Sequence, residues 1–162
     1  YEEALVQFQK ALQVFLAVYG QEHPSVAVSN KNIGIVYYKQ GKYEEALVQF
    51  QKALQVFLAV YGQDHLDVAT FYKNIGAVYY KQGKYEEALV QFKKALQVFL
   101  AVYGQDHLDV ATFYKNLGIV YRAQGNKSTA TEMYTKAYHT YLRVLGPDHP
   151  ETQGIKPFVV KS

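Results

Sequence analysis

Apolar residues return along this chain at steps of three and four. In one stretch they fall at Tyr43, Leu47, Phe50, Leu54, Phe57 and Tyr61, which is one stripe of an α-helix. Ala46 and Ala53 lie beside the stripe and narrow it. Glu44 and Glu45 occupy the first turn, where negative charge suits the helix dipole. Gly62 follows the last apolar residue, as a glycine stop does. The pattern predicts a helix over 43–61, about 28 Å long at ~1.5 Å per residue. Its second half, LQVFLAVY, is apolar on nearly every side and is expected to be buried on more than one face.

The same letters open the chain. YEEALVQFQKALQVFLAVYG spans residues 1–20, recurs unchanged at 43–62, and recurs at 85–104 with Lys93 in place of Gln. A fixed period of 42 residues predicts a repeat array, in which each unit buries its apolar face against its neighbours. Between the copies lies a second helical pattern. Pro24 suits its first turn, Val26, Ile33 and Tyr37 mark one face, and Gly41 ends it. Helices of this second kind are termed A, and those of the YEEALVQF kind B. The few residues around Gly41 are short enough to force an antiparallel A–B hairpin.

The expected organisation is an unpaired B helix at 1–19, repeats at 20–61, 62–103 and 104–145, and a partial A helix with a tail at 146–162. Phe71 and Tyr72 replace Ser29 and Asn30, which predicts tighter packing of that A helix on the B helix before it. In the last repeat the B helix reads NKSTATEMYTKAYHTYLRVL, with Thr and Ser at formerly apolar positions, as suits a terminal repeat facing water. Gly154 and Pro157 are expected to break the final A helix and leave a loose end. The chain opens inside a repeat without an initiator Met, which reads as a piece of a longer array.

Composition narrows the chemistry. There is no Cys, so disulfides, thiolate chemistry and Cys-ligated zinc are excluded, which fits an intracellular, cytoplasmic protein. A net charge of +3, from 17 basic and 14 acidic residues, implies neither nucleic acid nor an anionic membrane. No apolar run approaches the ~18 residues of a membrane span. His23, His65, His107 and His149 recur once per repeat. Ligands on helices packed about 8–10 Å apart do not converge on one ion, so these histidines are expected to pack at helix starts. The Glu pairs are helix-start charges, no serine, histidine and acid share a plausible catalytic geometry, and neither enzyme chemistry nor a cofactor is expected.

Each unit carries a glycine in helix A (Gly34, Gly76, Gly118), a tyrosine three later (Tyr37, Tyr79, Tyr121) and a turn glycine (Gly41, Gly83, Gly125). Alanines follow in helix B at Ala46 and Ala53, Ala88 and Ala95, Ala130 and Ala137. This N-[IL]-G-x-V-Y…G…Y…A…F…A-L pattern resembles the tetratricopeptide repeat family. The G-x-x-H-P start and the 42-residue length look like its kinesin-light-chain variety. The proline that usually ends helix B is absent, with Leu58 or Leu100 near its place, and Lys127 replaces the tyrosine that opens helix B in the last unit. The resemblance implies an all-α, right-handed superhelical solenoid of antiparallel helix hairpins, with about seven helices and a short C-terminal cap. It also implies a non-enzymatic scaffold that holds a protein or peptide partner in a concave groove lined by A helices.

On that implied groove the A helices present ladders. The first is Lys31, Asn32, Ile35, Tyr38 and Lys39; the second is Lys73, Asn74, Ala77, Tyr80 and Lys81; the third is Lys115, Asn116, Ile119 and Arg122. Lysines attract acidic side chains, asparagines bind both N–H and C=O of an extended peptide, and tyrosines supply a rigid apolar wall. The expected ligand is an extended, acidic peptide. The alternative is association between copies through the unpaired first helix, whose face carries Leu5, Phe8, Leu12 and Phe15. Gly76 is expected where helix A crosses helix B, near Ala88 and Ala95.

Overall fold

The computed structural model describes residues 1–159, and all regular structure among them is helical. The helices are α1 (Glu2–Tyr19), α2 (Pro24–Lys39), α3 (Tyr43–Tyr61), α4 (Leu66–Lys81), α5 (Tyr85–Tyr103), α6 (Leu108–Ala123), α7 (Lys127–Leu145) and α8 (Pro150–Ile155), followed by a 3-10 turn at Lys156–Phe158. Even numbers are A helices and odd numbers B helices. The chain divides into two compact units, Tyr1–Gly83 and Lys84–Ser162. Each contains a B helix, an A–B hairpin and a following A helix.

In the first unit, α3 packs between α2 and α4. Ala46, Leu47, Phe50, Ala53 and Phe57 are its buried residues, all on the predicted stripe or beside it. Phe71 of α4 is buried, with its ring 5.0 Å from that of Phe57, so the larger aromatic does pack onto the B helix before it. The apolar end of α3 is less enclosed than the letters suggest. Val56 and Leu58 are half-buried, and Val60 and Tyr61 are exposed.

The same letters, less the opening tyrosine, form the 18-residue α1, which packs against α2 and has no buried residue. Leu5, Phe8, Leu12 and Phe15 are half-buried rather than open, while Val14, Val18 and Tyr19 are exposed. Sequence is constant between α1 and α3, so the difference in burial measures what neighbouring helices contribute.

Gly62 shows why helix B stops where it does. Its φ of 80° with ψ of 177° lies in a region open to glycine and almost nothing else, and its N–H closes the last turn on Leu58. Gly34 has a different task. A Cβ there would lie 2.8 Å from Cε1 of Phe50, and one at Gly118 would lie 2.9 Å from the Tyr134 ring. At these two equivalents of Gly76, the neighbour that demands glycine is an aromatic ring of helix B, not its alanines.

In the second unit, α6 packs between α5 and α7, and Phe113 sits 4.9 Å from Phe99. The final A helix is cut short at six residues and ends at Ile155, two residues before Pro157, as expected, but it runs through Gly154 without a break there. Nor is the following segment loose. Phe158 and Val159 pack on the cluster of Ala130, Tyr134, Ala137, Tyr141 and Ile155, and the Phe158 ring lies 5.2 Å from that of Tyr134. The tail covers the apolar face of α7. The remainder of the expected loose end, 160–162, lies outside the described residues.

Candidate functional site

Each A helix starts at a histidine cap. Nδ1 of His23, His65, His107 and His149 accepts the backbone N–H two residues on, at 3.1–3.2 Å. Three of these rings also stack on the tyrosine that ends the helix before: Tyr19–His23 at 4.3 Å, Tyr61–His65 at 4.6 Å and Tyr103–His107 at 4.1 Å. The histidines are structural joints between helix B and the following helix A. The recurrent tyrosine four residues ahead of each of these histidines was the sequence signal for the stack; Leu145 stands at that place before His149.

A second recurring joint ties helix B to the A helix after it. Nε2 of Gln82 donates to Glu44 Oε1 at 2.6 Å, and Gln124 donates to Glu86 at 2.5 Å. Glu44 and Glu86 therefore do more than complement the helix dipole. Lys93, the one change in the third copy of the repeated letters, lies over the Tyr121 ring at 5.6 Å.

The ladder residues of the first unit lie on half-buried faces of α2 and α4. Lys31, Asn32, Ile35 and Tyr38 are half-buried and Lys39 is exposed; Lys73, Asn74, Ala77 and Tyr80 are half-buried and Lys81 is exposed. Ile35 and Tyr38 pack onto the cluster of Ala46, Leu47 and Phe50, so each offers an edge rather than a whole side chain. Lys31 and Asn32 have no ion pair or hydrogen bond with the described residues of their unit.

The second unit differs. Lys115 and Glu151, on the next A helix, form an ion pair at 2.5 Å, with the Lys115 side chain 23% exposed. The same ammonium lies 5.9 Å from the Tyr141 ring centroid. Thr112 Oγ1 and the Tyr141 hydroxyl share a hydrogen bond of 3.0 Å. Burial pushes the Tyr141 phenol above its ordinary 10.0, against the opposing pull of that hydrogen bond. Ile119 packs on the core, and Asn116 is half-buried. Arg122 is exposed, with its guanidinium 4.2 Å from the Phe158 ring centroid. Two ladder cations of this unit thus have partners within the chain, supplied by segments that their repeat does not contain.

No helix of the described residues is long and apolar enough to cross a membrane. Among the same residues, no three His, Cys, Asp or Glu side chains are grouped as a metal site.

The sequence matches no curated protein. Solved structures share the fold. A Podosopora anserina putative kinesin light chain with nearly identical TPR-like repeats superposes with a TM-score of 0.83 at 16% identity, over 98% of this chain and 75% of that one. BtubC (BKLC) from P. vanneervenii superposes at 0.74 and 16% identity, over 95% of this chain, which spans 62% of that protein. The N-terminal domain of stress-induced protein-1 (STI-1) from C. elegans gives 0.62 at 22% identity, over 83% of this chain and 95% of that one. These likenesses establish the all-α TPR solenoid as the fold class. The Tetratricopeptide repeat profile matches residues 1–59, 26–99 and 67–143. With its hairpins, turn glycines and 42-residue period, the chain belongs to the tetratricopeptide repeat family.

Proposed function

We propose that the chain is a non-enzymatic scaffold that binds an extended, acidic peptide across the A-helix faces of the first unit. Protein–protein interaction is the general role of tetratricopeptide repeat proteins, and the proposal adds the ligand and the residues. The observation that carries it is the Lys115–Glu151 pair. At that ladder position a lysine already holds a carboxylate, while Lys31, the equivalent in the first unit, has none among the described residues of its unit.

In this reading Lys31 and Lys73 take acidic side chains, Asn32 and Asn74 hold the peptide backbone, and Ile35, Tyr38, Ala77 and Tyr80 form the apolar edge, with Lys39 and Lys81 at the rim. Lys115 leaves the ligand set because its charge is paired with Glu151, while Arg122, whose guanidinium stands over the Phe158 ring, lies with Asn116 and Ile119 in the second unit, outside this set. A helices about 10 Å apart, set against ~3.3 Å per residue of extended peptide, place acidic residues at about every third position. Each half-exposed ion pair contributes ~0–1 kcal/mol, so affinity is modest and falls with salt. A peptide array tests this directly. Acidic, extended peptides are enriched, and Lys73→Glu combined with Asn74→Ala abolishes their binding. Enrichment of neutral or basic peptides, or unchanged binding by the double variant, refutes it.

The bare state of α1 favours a second reading, association between copies. Five residues are buried in α3 and none in α1, from the same letters. In this reading Leu5, Phe8, Leu12 and Phe15 complete their burial against a second molecule. Sedimentation then shows a mass that rises with concentration, and polar residues at positions 5 and 8 restore the monomer. A monomer at hundreds of micromolar rules it out.

A further inference from the structure

The A–B turns of the two units carry different chemistry at the same two positions. In the first unit, Tyr38 at the end of α2 and Tyr43 at the start of α3 pack ring against ring, 5.8 Å between centroids. Two repeats further on, those places are held by Arg122 and Lys127. Beside these two cations lies a cavity of about 320 Å³, whose lining includes Arg122, Lys127, Thr131, Tyr134, Phe158 and Val159. No Asp or Glu lines it. Neither cation forms an ion pair among the described residues. The Phe158 ring lies under the Arg122 guanidinium, and with Tyr134 it makes an apolar wall.

We propose that this pocket binds a carboxylate side chain carried beside an apolar residue on an acidic segment of a protein partner. Two cations without an acid attract an anion. A guanidinium held on an aromatic face keeps its planar fork ordered for bidentate binding of a carboxylate. The volume is at the low end of ligand pockets, which suits one or two side chains rather than a cofactor. Tyr134 and Phe158 fit the apolar neighbour, and Thr131 is the one uncharged polar residue besides Tyr134 in the lining. The pocket is separate from the ladder of the first unit and rests on the peptide-binding reading only for the kind of partner. The ladder is tested at Lys73 and Asn74 and the pocket at 122 and 127, so the two fail independently.

The test is ¹H–¹⁵N NMR of the whole chain, titrated with N-acetyl-Asp-Phe-amide and with N-acetyl-Asn-Phe-amide. The acidic dipeptide shifts the amides of Arg122, Lys127, Thr131 and Phe158 and saturates; the neutral one does not. Arg122→Gln with Lys127→Gln weakens binding at least tenfold. Arg122→Tyr with Lys127→Tyr restores the residues that Tyr38 and Tyr43 supply in the first unit, so a folded protein is expected, with binding lost. Equal shifts from both dipeptides overturn the proposal. So does unchanged affinity in the tyrosine variant, or displacement of the dipeptide by an equal concentration of sodium phosphate.

Discussion

Replacing Gly34 by Ala sets two effects of known sign against each other. Alanine gains up to ~1 kcal/mol of helix propensity inside α2. Its Cβ would stand 2.8 Å from Cε1 and 2.9 Å from Cδ1 of Phe50, where ordinary contact begins at 3.4 Å. That ring is 2% exposed and belongs to the cluster with Ala46, Leu47, Ile75 and Val78, so it does not retreat without moving other packed atoms. Overpacking of this kind costs ~1–3 kcal/mol. The balance is a net loss of up to ~2 kcal/mol, read as a lower urea midpoint by circular dichroism. A double-mutant cycle isolates the cause. In a Phe50→Leu background the ring is gone, and Gly34→Ala becomes neutral or stabilising. A raised midpoint for Gly34→Ala alone, or the same loss in both backgrounds, refutes the assignment of the clash to Phe50.

Three further outcomes follow from single features. His65→Ala removes a cap and a ring stacked on Tyr61, and costs ~0.5–2 kcal/mol by urea denaturation. Phe50→Ala costs ~3–5 kcal/mol, whereas Phe8→Ala, set in the same letters but half-buried in α1, costs clearly less; equal losses contradict the burial difference. Because burial raises the Tyr141 phenol above 10.0 in the folded chain, its contribution is complete below about pH 10 and is lost as pH rises through the raised value. Tyr141→Phe removes that slope from a stability-against-pH curve.

Much of the fold was legible because it is periodic. The stripe from Tyr43 to Tyr61 named Leu47, Phe50 and Phe57, which α3 buries together with the flanking Ala46 and Ala53, although Tyr61 at its end is exposed, and Gly62 named its end. Less legible was anything set by a residue one repeat away. Lys115 reads like Lys31 until Glu151, 36 residues on, is known to reach it. Nothing in the local letters of α1 distinguishes it from α3, since burial is set by the helices alongside. Gly154 suggested a broken helix by propensity, but covering α7 stabilises the segment and carries Phe158 and Val159 onto Tyr134. Near-identical repeats copy every surface residue, whatever its role, so the departures carry more information: Lys93, Arg122, Lys127 and Glu151 each make a contact or line a cavity in the second unit.

Glu151 supplies a direct probe of the ladder. Asp67 occupies the same place relative to Lys31, 36 residues on, and is one methylene shorter. Its carboxylate lies 3.7 Å from His65 Nδ1, and it has no ion pair with Lys31. Asp67→Glu lengthens the side chain to match Glu151 and should close the pair, while the cap is kept, since His65 accepts the backbone N–H of residue 67 rather than its side chain. For a half-exposed pair the stability gain is ~0–1 kcal/mol, too small to be the useful readout. Peptide binding is the sharper one. If Lys31 holds an acidic residue of the ligand, closing it onto the lengthened carboxylate removes one ion pair and brings a repelling charge nearer. Affinity then falls about tenfold or less, by RT ln 10 ≈ 1.4 kcal/mol. Binding unchanged in Asp67→Glu, with the new pair confirmed by a shifted Lys31 ammonium resonance, places the peptide somewhere other than the A-helix ladder.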